Sequence, residues 1–230
     1  MLNASKMASH DVCIMILSCK ALQKRREAMK ETLSQVHGNF TFVFLEGDED
    51  QVQEFIFNDK TRVLSLKCGD SYDYLTHKTK YGISACRKLF AFNYLIKMDD
   101  DIVIQPVSLS NFIKFCQVCD KDYLGCKQLN PITESNYGSE KYTLEKNKQP
   151  IVLPSIPYMG GPCYCLSVKA CDIIKDHMDE NGIRFEDFNV GLTLYNHDME
   201  AVHCPLYTDY EHTLQPFHVG LHDVNRKYVK

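Results

Sequence analysis

Apolar positions along this chain switch between two periods. The run "VCIMIL" (Val12 to Leu17) has the length of a strand with both faces buried, and over Ala21–Val36 the residues Leu22, Met29, Leu33 and Val36 share one helical face. "FTFVFLEGD" (Phe40 to Asp48) predicts a second strand closed by acidic and glycine residues, and "RVLSL" (Arg62 to Leu66) a third. Leu75, Thr79, Ile83, Cys86 and Phe90 then recur at helical spacing, followed by a strand at Phe92–Lys97 and a short one at Ile102–Ile104. Leu109, Phe112, Ile113 and Cys116 mark another helix, and "YLGCK" (Tyr123 to Lys127) another strand. Such alternation predicts an α/β sandwich with a mostly parallel sheet.

The later chain is less uniform. The polar stretch Asn130 to Pro150 has no clear period and reads as a long loop of the kind that serves as a lid. "YMGGPCYCLS" (Tyr158 to Ser167) reads as a Gly-Gly turn running into a strand, Val168 to Met178 as a helix, and the end of the chain as irregular, with five of the nine histidines beyond Tyr195.

Between the strands at Phe92 and Ile102 stand three consecutive carboxylates, Asp99, Asp100 and Asp101. Adjacent negative charges repel unless a cation joins them, and in open α/β sheets ligands bind beyond the carboxyl ends of the strands. Mg²⁺ or Mn²⁺ held there can bridge a nucleotide diphosphate. Strand alternation turns Asp99 and Asp101 to one side and Asp100 to the other, which assigns Asp101 to the metal and leaves Asp99 and Asp100 for ribose or sugar hydroxyls. The competing reading is a solvated acidic turn.

A second acidic pair, Glu186 and Asp187, precedes a predicted helix. Acids there commonly favour the helix dipole and cap free N–H groups; the functional alternative is a general base. His218 is a candidate imidazole ligand in a mixed site that suits Mn²⁺, with His222 an equal candidate if the segment is helical. Cys116 and Cys119 form a CxxC pair without a second pair, which argues against zinc.

Composition removes several classes. A net charge of −4 with interspersed acids and bases provides no basic field for nucleic acid or anionic membrane, and no apolar run is long enough for a membrane span. Eleven cysteines, mostly in core-like segments, read as buried thiols of a reducing compartment, with a disulfide framework the competing reading. No linker divides the 230 residues, so a single domain over 1–230 is expected, with 1–10 as a flexible lead-in.

In order, these segments resemble the beta-1,3-glycosyltransferase family that includes beta-1,3-galactosyltransferases, N-acetylglucosaminyltransferases and Fringe. The resemblance rests on "LSCKALQKRREAMKETL", "GDSYDYLTHKT", "KMDDD", "PYMGGPCYCLS", "FEDFNVG" and "FHVGLHDVNRKYV". It implies a GT-A fold, that is, one Rossmann-like α/β/α sandwich with a mostly parallel central sheet. It also implies an inverting hexosyltransferase that moves a sugar from a UDP-sugar to a glycan or glycoconjugate hydroxyl, in a beta-1,3 linkage. Mn²⁺ or Mg²⁺ would be held by Asp101 and His218, and Asp187 would be the base. Donor contacts are expected from Ser18, Arg25, Lys78, Asp99 and Asp100, and the substrate pocket from Tyr142, Gly160, Gly161 and Glu186.

Three positions depart from the family pattern: Cys163 replaces a glycine, and Tyr142 and Leu33 stand where tryptophan is usual. They leave the sugar's identity open. With no signal or anchor segment seen, the chain reads as cytoplasmic as given, or as Golgi-luminal if an anchor and stem have been removed. Two rivals remain at this stage. One is a GT-A module that only binds a glycan or nucleotide. The other is an aspartate-nucleophile phosphatase built on Asp99 and Asp101, which Lys97 disfavours by interrupting the preceding apolar strand.

Overall fold

The apolar run at Val12 lies at the centre of the molecule. A computed structural model describes residues 9–129, 133–135, 139–209 and 220–222. In it the run belongs to β1 (Ser9–Leu17), followed by α1 (Gln23–Leu33), β2 (Phe40–Gly47), β3 (Phe55–Asn58) and β4 (Val63–Leu66). Next come α2 (Leu75–Leu89), β5 (Ala91–Asp99), β6 (Ile102–Ile104), α3 (Pro106–Cys116), β7 (Tyr123–Leu129) and β8 (Thr133–Ser135). The chain continues through α4 (Glu145–Lys148), β9 (Ile151–Leu153), β10 (Pro157–Ser167), α5 (Val168–His177) and α6 (Glu186–Tyr195). It closes with β11 (Ala201–His203), β12 (Tyr207–Asp209) and β13 (Gly220–His222).

Eight strands form one sheet in the order β11-β7-β10-β5-β1-β2-β4-β3. Strands β5, β1, β2 and β4 run parallel, as do β7 and β11, while β10 lies antiparallel between β5 and β7 and β3 is an antiparallel edge. Alternate residues of β1 serve opposite layers. Cys13, Met15 and Leu17 pack with Ile83 and Cys86 of α2 and with Cys171 and Ile174 of α5. Val12, Ile14 and Ile16 pack with Met29 and Leu33 of α1 and with Leu109 and Phe112 of α3. Helices on both faces explain why β1 is apolar without alternation. This is the α/β sandwich with a mostly parallel central sheet that the alternating periods predict.

Several expectations are corrected. The Gly160-Gly161 pair makes no turn: it lies inside β10, at an irregularity in the pairing between Met159 and Tyr164. The stretch from Asn130 to Pro150 is not a featureless loop; its described parts hold β8, which pairs with β9, a 3-10 turn at Ser139–Lys141, and α4. These units are too short to leave a period. Strand β3 and the three strands after His197 escaped notice for the same reason. Strand β1 starts at Ser9, inside the expected lead-in. All eleven cysteines are free thiols, seven of them buried. Among the described residues no helix is long and apolar enough to cross a membrane.

Candidate active site

Parallel pairing of β1 with β5 sets Leu17 beside Asp99, so that the end of β1 and the acidic triplet share one edge of the sheet. A smaller cavity of about 220 Å³ opens there, lined by Ser18, Cys19, Asp70 and Lys78 together with the three aspartates. Its floor is cross-linked. Ser18 donates through Oγ to Asp100 Oδ2 at 2.8 Å, and Arg25 Nη1 reaches Asp100 Oδ1 at 3.2 Å. Lys78, 1% exposed, gives its ammonium to Asp70 Oδ1 at 2.6 Å and to the carbonyls of Ser18 and Asp70. The expected donor residues thus meet at one place, with Lys78 spent on holding Asp70 and the Ser18 turn beneath the cavity.

Asp99 and Asp101 also line a second cavity of about 500 Å³, whose other walls carry Gly161, Glu186, Asp187 and the rings of Tyr142, Tyr158 and Phe185. The triplet therefore splits, with Asp99 and Asp101 open to both cavities and Asp100 turned to Ser18 and Arg25. Asp187 sits in the first turn of α6, and its Oδ1 accepts the N–H of Phe188 at 2.8 Å. Gly161 is its immediate neighbour from β10: a Cβ built on Gly161 would lie 3.2 Å from Asp187 Oδ2. Gly160, one residue earlier in β10, is buried. Tyr142 is buried, its ring packed edge-on against Tyr72 and faced by the Arg184 guanidinium, and burial pushes its hydroxyl up to about 12.

Glu186 is turned inward. It accepts from Thr79 Oγ1 at 2.9 Å and from the Tyr164 hydroxyl, and it lies 3.2 Å from Lys97 Nζ. Lys97 also donates to Asp99 Oδ1 and to the Gly161 carbonyl, each at 2.6 Å. Burial works against the lysine's charge, but Asp99 and Glu186 outweigh it and keep the ammonium protonated. Burial and the Glu186 charge push Asp187 up to about 6, with Lys97 pulling the other way. Asp99 is pushed up to about 7 by burial, opposed by Lys97 and reinforced by Asp101.

Lys97, Thr79, Tyr164 and Asp73 were not singled out as site residues by sequence. Lys97 carried a signal, a charge inside an apolar strand. Asp73 anchors the segment expected to be a lid: it accepts from Thr143 N and Oγ1, Leu144 N and Asn147 Nδ2 at 2.5–3.2 Å. Burial alone would raise its carboxyl, but these bonds hold it at about 2.

His218 and the segment around it lie outside the described residues, and among those described no group of three or more His, Cys, Asp or Glu is assembled to hold a metal ion. The donor set still fits a hard cation. Mg²⁺-type sites need only one or two carboxylates plus substrate phosphates, and the Asp101 charge, which adds to burial in raising Asp99, is a repulsion a cation relieves.

A sequence profile described as Galactosyltransferase matches residues 24–205, four-fifths of the chain. Among solved structures, a glycosyltransferase involved in the glycosylation of the major capsid of PBCV-1 is similar at 13% identity over 86% of this chain and 82% of that one, with a TM-score of 0.45. No curated protein matches in sequence.

Proposed function

Because the chain belongs to the galactosyltransferase family, and so transfers a sugar, we propose that it moves a hexose from a UDP-sugar to an acceptor hydroxyl with inversion, forming a beta-1,3 linkage. The observation that carries this reading is the pairing across one cavity of Asp99 and Asp101 with Asp187. Inverting displacement needs the leaving diphosphate and the attacking hydroxyl on opposite faces of the sugar, and the cavity draws its carboxylates from two elements, the end of β5 and the start of α6, to serve the two sides.

Asp187 accepts the proton of the acceptor hydroxyl as that oxygen attacks the anomeric carbon. Its raised carboxyl suits the task, since a base works best when its proton affinity lies near the working pH. Asp99 and Asp100 take ribose or sugar hydroxyls, and the floor of Ser18, Arg25 and Lys78 shapes the donor end. Tyr142, with Tyr158 and Phe185, presents apolar ring surface to a sugar and walls out water. Asp101 with His218 would hold Mn²⁺ or Mg²⁺, which when bound offsets the charge growing on the diphosphate.

Incubation with a series of UDP-sugars, following UDP release, tests the reading. Release is expected with one donor and a hydroxyl acceptor in the presence of Mn²⁺; silence with every donor rejects it.

A further inference from the structure

A lysine deep in an apolar strand is costly unless its charge is matched, and replacing a buried ion pair by apolar groups is often neutral or stabilising. Lys97, in "YLIKMDD", is 1% exposed, so its retention calls for more than packing. Its ammonium meets three acceptors on three elements. They are Asp99 Oδ1 at the end of β5 and the Gly161 carbonyl in β10, both at 2.6 Å, and Glu186 Oε2 at the start of α6, at 3.2 Å. These are the elements that bring the reacting groups together, because Asp187 follows Glu186 and its Oδ2 would lie 3.2 Å from a Cβ built on Gly161. Apart from Asp99, the donor floor is held by a separate set of bonds, Ser18 and Arg25 to Asp100 and Lys78 to Asp70.

Resting on the sugar-transfer reading above, we infer that Lys97 is a positioning residue. By bridging Asp99, Gly161 and Glu186 it sets the span across the cavity between the triplet and Asp187. Glu186 is its counterpart rather than a substrate contact, since Thr79 and Tyr164 occupy its Oε1 and Lys97 faces its Oε2. Misplacing a reacting group by about 1 Å costs on the order of 100-fold in rate, so the signature lies in turnover far more than in donor affinity.

The test compares wild type, Lys97→Met, Lys97→Arg and Lys97→Met/Glu186→Gln by kcat, by UDP affinity from calorimetry with and without Mn²⁺, and by melting temperature. For Lys97→Met, kcat should fall by on the order of 100-fold, while UDP affinity, which depends on Lys97 only through Asp99, should fall by less than about tenfold. Lys97→Arg, which keeps the charge, should recover part of that loss. The double variant removes one charge of each sign; it should melt within a few degrees of wild type yet remain as slow as Lys97→Met. Three results overturn the inference: Lys97→Met turning over at the wild-type rate, kcat and UDP affinity falling by the same factor, or the double variant regaining activity along with stability. A wild type inert toward every UDP-sugar sinks this inference and the sugar-transfer reading together. An active wild type matched by Lys97→Met sinks the inference alone.

Discussion

Replacing Asp187 by asparagine keeps the shape of the side chain and removes its charge, and the structure assigns the change opposite effects on stability and on rate. In the folded protein the carboxyl is raised from 3.8 to about 6, about two pH units, and each unit is worth about 1.4 kcal/mol. The ionised form is therefore penalised on folding by up to about 3 kcal/mol. Solvent in the cavity reduces this to about 1–2 kcal/mol. For an acid raised on folding, the penalty is full above about pH 6, shrinks as pH falls, and is gone below 3.8. At pH 7.5 the Asp187→Asn variant should accordingly melt about 2–8 °C higher than wild type, and at pH 4 the two should coincide.

Turnover moves the other way. Loss of a general base costs on the order of 10²- to 10⁴-fold, with UDP affinity unchanged because the donor floor is built from other residues. Wild-type kcat should also drop about tenfold per pH unit below pH 6, as Asp187 takes up its proton. Calorimetric melts across pH and a UDP-release assay measure both. An Asp187→Asn enzyme within tenfold of wild type, or one less stable than wild type at pH 7.5, would refute the reasoning.

Asp101→Ala should abolish Mn²⁺-dependent stabilisation by UDP, which in wild type at 100-fold excess over Kd is worth about 2.7 kcal/mol, or about 5–10 °C in a thermal shift. Gly161→Ala should fold normally, since a β-strand backbone accepts alanine, but its methyl would press on Asp187 from 3.2 Å; about tenfold lower kcat at unchanged melting temperature is expected. Asp73→Ala removes the acceptor of four bonds to residues 143–147 and should cost about 2–3 kcal/mol, with hydrogen exchange in α4 accelerated above the rest of the protein. Because the Asp73 carboxyl is depressed to about 2, that contribution is complete above 3.8 and lost as pH falls through 2, so wild type and variant should converge in strong acid.

Much of this protein is written locally. Period and length alone determine that β1 is buried on both faces, that α2 presents Ile83 and Cys86 to the sheet, and that the acidic triplet ends a strand, because each depends on neighbours within a turn or a pleat. The chemistry-bearing segments are legible for the same reason: Asp99 to Asp101 and the Glu186-Asp187 pair are short runs of unusual charge beside apolar stretches. What the sequence left undecided concerns partners far apart in it. Only folding decided that β10 would insert antiparallel between β5 and β7, and that Gly160-Gly161 would lie within that strand instead of turning. It also joined Asp73 to Thr143 across 70 residues and Thr79 to Glu186 across 107. Glu186 and Asp187 look interchangeable in the chain; their environments separate them, one tied to Lys97 and Tyr164, the other left at the cavity wall. A charged side chain's role follows from what compensates it, and in a sheet crossed by helices the compensating group comes from another element, whose distance in sequence carries no trace of its distance in space.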